Sequence, residues 1–162
     1  MTNPPDEETV ALGFAPDEII TDQPTRSARL KWIVIVDETL PGGLMVNAAV
    51  CVAAATGAQV EGLVARGGPD ASGAWHPGLP WAGCTVLGAA PELLAEARAK
   101  AVAAGDLLVV DMPAAAQTNR VYDGYLDELA TTPAEKLAVG AVSVIGPRNR
   151  VDKIAKRLTL LS

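Results

Sequence analysis

Residues 141–161 read AVSVIGPRNRVDKIAKRLTLL, and this stretch decides the fold. Residues 141–145 form a short, largely apolar run with Val142, Val144 and Ile145 β-branched. Such a run suits a strand buried on both faces. Gly146-Pro147 ends it, because proline lacks a ladder donor but fits the first position of a helix. Val151, Ile154 and Leu158 then recur at helical spacing, with Arg148, Arg150, Lys153, Lys156 and Arg157 on the opposite side. The stretch therefore reads as a buried strand, a tight turn, a short basic helix and an apolar tail.

Residues 30–36 (LKWIVIV) form a second run of the same kind, and Pro41-Gly42-Gly43 marks a turn after it. Residues 44–56 follow as an Ala/Val-rich helix with Gly57 as its C-cap. This helix is apolar nearly all round, which implies burial. Residues 59–66 suggest a strand, 67–81 a Gly/Pro-rich loop, and 84–87 another strand. Residues 91–104 read as a helix with Pro91 first, Glu92 and Glu96 early, Arg98 and Lys100 late, and Gly105 beyond. Residues 106–110 (DLLVV) form a buried strand running into Asp111. Residues 117–130 read as one helix with Tyr122, Tyr125, Leu126 and Leu129 on a face, in which Gly124 costs about 1 kcal/mol of propensity. Strands alternate with helices, so the fold class is α/β, with helices on both faces of a sheet.

The 162 residues are 49% hydrophobic but only 4% aromatic, so Val, Ala, Leu and Ile must build the core. No uninterrupted apolar run reaches the roughly 18 residues of a membrane helix, and no membrane association is expected. The first residues, MTNPPDEETV, lack the basic and apolar regions of a secretory signal. A cytoplasmic location is expected, with Cys51 and Cys84 as free buried thiols. Residues 1–28 hold six acids and one base (net −5), which leaves 13 acids and 12 bases (net −1) in the rest. This divides the chain into a flexible acidic arm, 1–28, and a single domain, 29–162. A near-neutral domain offers no electrostatic footprint for nucleic acid. One histidine and two separated cysteines do not make a zinc site, and no metal or other cofactor is expected.

Three segments together resemble the peptidyl-tRNA hydrolase II family. They are residues 31–37 with the following turn and Ala48-Ala49, residues 109–111, and Val144-Ile145-Gly146-Pro147 with Val151-Asp152-Lys153-Ile154 and the 158–161 tail. The chain is also similar to an uncharacterised bacterial family, itself like a remote relative of that hydrolase. That likeness rests on His76-Pro77-Gly78 and on Asp111 followed by Ala116-Gln117-Thr118, Tyr122 and Tyr125. The resemblance implies a three-layer α/β/α fold around about four core strands in the order 2-1-4-3, the last antiparallel. It also implies a homodimer. The hydrolase's Gly-Lys-x-Ala-Ala-Gln motif falls on residues 45–50, where Val46 and Val50 replace the lysine and glutamine. Its aspartate carries over as Asp111.

Asp111 and Asp37 end buried strands, where open α/β sheets place ligands. Each reads as a site acid or as a turn or helix cap, and Asp111 is the better site candidate of the two. His76 is the only histidine, in a loop flanked by Trp75 and Trp81; it is either a general base reaching towards Asp111 or a solvated loop residue. Gln117 and Thr118 open a helix just after Asp111, as positioners or caps. Asn47 lies among Val and Ala and needs a polar partner. Gly42 and Gly43 precede a helix N-terminus that could cradle an anion or simply turn the chain. The expectation is a protein related to the hydrolase that acts on or binds a small-molecule ligand. The chemistry would be hydrolytic or acid–base at an amide or carbonyl, with Asp111 and His76 catalytic. Asn47, Gln117, Thr118, Gly42 and Gly43 would then bind substrate. The alternative is a non-catalytic binding or accessory protein.

Overall fold

Strand β6 (Val139–Pro147) sits inside the sheet, between β5 (Leu108–Pro113) and β1 (Leu30–Asp37), and runs antiparallel to both. Strand β4 (Thr85–Ala89) lies parallel to β1 on its other side, and β7 (Thr159–Leu160) closes that edge antiparallel to β4. The computed structural model describes residues 12–162. The sheet is mixed and five-stranded, and its four longer strands lie in the expected order. The fifth is the apolar tail, paired through Leu160 to Leu87.

Period-two alternation along these strands feeds two cores. Trp32, Val34, Val36, Ala141 and Ile145 pack with Ala48 and Val52 of helix α1 (Gly42–Gln59). Ile33, Ile35, Val142 and Val144 pack instead with Leu94, Ala97 and Ala101 of α2 (Pro91–Ala104) and Val151 of α5 (Arg148–Ala155). Each such fully buried branched side chain contributes roughly 1.5–3 kcal/mol. Gly105 ends α2 in the left-handed conformation, at φ 73°, as its position after the helix implies.

Four expectations are corrected. First, α1 buries only Ala48, Val52 and Thr56, while Val46 and Val50 are 62% and 60% exposed. The sheet covers one stripe of the helix, and among the described residues nothing covers the outer one. Its 18 uncharged residues, at mean hydropathy 1.3, are long and apolar enough to cross a membrane by length and composition. Its buried stripe is nevertheless seated on the sheet. The helix also continues past Gly57 to Gln59, capped by the Val60 N–H on the Thr56 carbonyl.

Second, residues 12–28 are no free arm; residues 1–11 lie outside the described residues. Phe14 is buried, its N–H donates to the Glu61 carbonyl, and its ring meets Trp81 edge-on at 4.8 Å. Arg29 then ties Glu18 and the Gly13 carbonyl together, holding the Glu18 carboxyl down at about 2 through its hydrogen bonds. Third, residues 59–66 form no strand. They belong to an excursion in which Val64 bridges Pro80 and the two-residue strands β2 (Gly68–Pro69) and β3 (Trp75–His76) make a hairpin. Fourth, the helix expected over 117–130 is two helices, α3 (Ala114–Thr118) and α4 (Tyr122–Thr131). Asn119 turns the chain between them, its side-chain amide on the Ala115 carbonyl and Glu128. A Cβ at Gly124 would stand 3.2 Å from the Asn119 side-chain Oδ1, so glycine lets α4 fold back against that turn.

Candidate functional site

Strand β5 is an edge strand, and its last residues leave a gap between α1 and the α3–α4 pair. The gap is a cavity of about 450 Å³. Val52 and Ala55 of α1, Val110 and Met112 of β5, Pro113 and Ala116 give it an apolar floor. Asn119, Arg120, Tyr122 and Tyr125 supply the polar side, and Cys51 and Asp111 also line it. Tyr122 and Tyr125 meet edge-on at 5.5 Å. Burial raises the Tyr125 hydroxyl above the ordinary tyrosine range, helped by Tyr122 and the negative Asp111. Helix α4, which carries both rings, has no buried residue and so covers the cavity lightly.

Asp111 reaches this cavity, but its carboxylate is engaged elsewhere. Val110 and Met112 pack on the α1 side of the sheet and Val109 on the α2 side, so Asp111 follows Val109. There the Arg98 guanidinium of α2 donates to it, with both side chains about a quarter exposed. Arg98 escaped the sequence reading, which assigned it to the helix dipole. A signal was present, since Arg98 stands four residues after Leu94, beside the buried Leu94, Ala97, Ala101 stripe.

The structure joins two expected residues and separates the others. The Gln117 amide donates to the Leu44 carbonyl at 2.9 Å and to Asn47 at 3.1 Å, which braces α3 against α1. Neither side chain lines the cavity. The Thr118 hydroxyl turns back on the Ala114 and Ala115 carbonyls of its own helix. Gly42 and Gly43 form an ordinary first turn of α1, with the Leu44 and Met45 N–H groups on the Pro41 carbonyl. Asp37 caps its own turn, accepting from the Thr39 N–H and hydroxyl.

His76 does not approach Asp111. Its hairpin connects the end of α1 to the start of β4, whereas Asp111 stands near the end of β5, which runs parallel to β1 and β4. His76 is therefore at the opposite end of the sheet, exposed, and within 3.3 Å of Asp70. Cys51 and Cys84 are free thiols as expected, but both residues reach the surface.

A solved structure of a protein of unknown function from Agrobacterium tumefaciens strain C58 is similar to this chain. It superposes with a TM-score of 0.76 at 15% identity, covering 83% of this chain and 98% of that one. At that identity the likeness shows a shared fold. No curated protein matches the sequence. The model of a family described as protein of unknown function (DUF2000) matches residues 30–162, from the first strand to the end of the chain, and this protein belongs to that family.

Proposed function

We propose that this domain binds a small molecule in the cavity beside β5, on a three-layer scaffold related to peptidyl-tRNA hydrolase II. The observation that carries the reading is the cavity itself, an apolar floor of about 450 Å³ with its polar groups gathered on the α3–α4 side. Its volume falls within the roughly 300–1,000 Å³ typical of small-molecule sites. The lining suits an aliphatic or aromatic body with an anionic or hydrogen-bond-accepting end towards Arg120. The strand order, with the antiparallel β6 between β5 and β1, supports kinship with the hydrolase fold.

Three observations favour binding over catalysis. Arg98 occupies the Asp111 carboxylate, and His76 is at the far end of the sheet. The motif positions for lysine and glutamine are exposed valines, Val46 and Val50. Hydrolytic or acid–base chemistry is the second reading, supported by Asp111 lining the cavity.

Anilinonaphthalene sulfonate has the proposed shape, an aromatic body with one anionic end. Its fluorescence on titration is expected to saturate, and Ala55→Phe, which fills the floor, to weaken binding at least tenfold with the melting temperature retained. Unchanged binding in that variant would remove the site.

We also propose that a second copy of this chain covers the outer face of α1. Val46, Val50 and Ala54 lie exposed there, in a helix without a charged residue. A charged partner surface would strand its charges against that face, whereas the same face on a second copy would not. Light scattering is expected to give twice the 16.7 kDa of one chain. Val50→Glu is expected to raise the dimer dissociation constant at least tenfold; a monomeric parent protein would refute the arrangement.

A further inference from the structure

Lys31 and Arg148 line one cavity at the end of the sheet remote from Asp111. There β1 begins, and Leu30 pairs with Pro147, the residue before α5. The turn carrying Thr25 and Arg26 and the stretch 82–85 close a second cavity, of about 290 Å³, over these residues. Among the described residues its wall holds three cationic side chains, Arg26, Lys31 and Arg148, and no carboxylate.

The charges are only partly compensated. Lys31 donates to Asp152 at 2.5 Å. Among the described residues, Arg26 and Arg148 form no ion pair. Arg148 donates one nitrogen to the Ala28 carbonyl at 3.1 Å, which fixes the guanidinium and leaves most of its five donors open. Arg148 is also the first residue of α5, an end no side chain caps, so the positive end of that helix adds to the field. Cys84, which reaches the surface, forms part of the same wall. A concave site walled by cations focuses positive potential even in a chain of net charge −6.

We propose that this second cavity binds a phosphate group, as the free ion or as the head of a small phosphomonoester. Three cations less Asp152 leave two positive charges, and phosphate at neutral pH carries about −1.5 to −2. A single carboxylate would leave one cation unmatched. Guanidinium forks suit the several acceptor oxygens of a tetrahedral anion. The proposal is independent of the cavity beside β5.

The test is a titration of the full ¹⁵N-labelled chain at pH 7, at ionic strength held constant with chloride, followed by amide NMR shifts. Inorganic phosphate, phenyl phosphate and acetate are the three arms. Phosphate, phenyl phosphate or both are expected to give saturable shifts at Arg26, Lys31, Thr85 and Arg148, leaving Tyr125 still. Tighter binding of phenyl phosphate identifies an ester, and tighter binding of the inorganic ion identifies free phosphate. Acetate is expected to leave these amides unmoved. The double variant Arg26→Gln, Arg148→Gln is expected to weaken binding at least tenfold. Should loss of the Ala28 contact unfold it, Arg26→Gln alone, at an exposed residue, is expected to weaken binding at least threefold. Absence of saturable shifts, acetate binding as tight as phosphate, or unchanged affinity in the folded variant would each overturn the assignment.

Discussion

Phe14→Ala is expected to lower stability by about 3–5 kcal/mol, the range for truncating a buried aromatic. Phe14 is only 4% exposed, although it lies in a segment whose four prolines and acidic residues read as a loose arm. Its ring packs on Trp81, and the Arg29 guanidinium sits 5.9 Å above it. Truncation therefore empties a site closed by three elements: the N-terminal segment, the start of β1 and the 60–83 excursion. The parallel bridge from Gly13 to Glu61 anchors the backbone nearby but cannot fill that space. For a domain of this size the loss corresponds to a fall in melting temperature of roughly 10 °C. Calorimetry of Phe14→Ala beside the parent chain measures it. An unchanged midpoint would mean that the segment does not share the core, and the arm as first read would return.

The parts of the fold legible in the sequence are those where a local pattern and a buried environment agree. Residues 30–36 and 141–145 are apolar apart from Lys31 and Ser143 because the sheet is covered on both faces, and each became a strand feeding both cores. Pro147, between β6 and α5, and Gly105, after α2, marked element boundaries through backbone chemistry alone. The illegible parts depend on long-range contacts. Nothing local in residues 60–83 tells Leu63 that it will be fully buried, or that the Trp81 indole will donate to the Gly62 carbonyl. The exposure of α1 was misread for a related reason. Composition reports what a helix could bury, whereas burial depends on how many neighbours arrive. The split between α3 and α4 turns on one side chain, since the Asn119 amide satisfies both the end of α3 and Glu128 of α4.

The candidate site was legible to a similar depth. Asp111 could be read as a strand-end acid, and it does line a cavity. Asn47 is exposed rather than buried, so it needed no partner, although Gln117 does donate to it. What these groups do was not legible. A paired carboxylate and a braced amide look identical in sequence to a free acid and a free positioner. Arg98 decides the first case and the Leu44 carbonyl the second, from 13 and 73 residues away in the chain. His76 misled because tryptophans and prolines around a lone histidine suggest a closing loop. Here they build a hairpin that begins and ends at the wrong end of the sheet.

Ser143→Ala is expected to cost about 2–3 kcal/mol, far more than its one lost oxygen implies. Ser143, Thr56 and Trp32 form a chain of hydrogen bonds inside the α1-side core. The Trp32 indole N–H donates to the Ser143 oxygen at 2.8 Å. Ser143 and Thr56 share a hydrogen at 2.7 Å, and the Thr56 hydroxyl donates to the Val52 carbonyl at 2.7 Å. One direction satisfies every group: indole to serine, serine to threonine, threonine to the helix carbonyl. Thr56 and Ser143 are at most 1% exposed, so no water replaces a missing partner. An indole donor stranded there carries a desolvation penalty of about 1–3 kcal/mol, added to the small cavity left by the hydroxyl. Thr56→Val keeps the volume of its site but removes the acceptor for Ser143, and about 1–2 kcal/mol is expected. The double variant is expected to cost less than the two singles together, because both break the same link. Strict additivity in urea unfolding would show that the chain does not act as a unit. The consequence reaches the cavity, because this chain pins α1 to β1 and β6 through Thr56 and the Val52 carbonyl, and Val52 forms part of the cavity floor. Ser143→Ala is therefore expected to weaken anilinonaphthalene sulfonate binding as well, although Ser143 does not itself line the cavity.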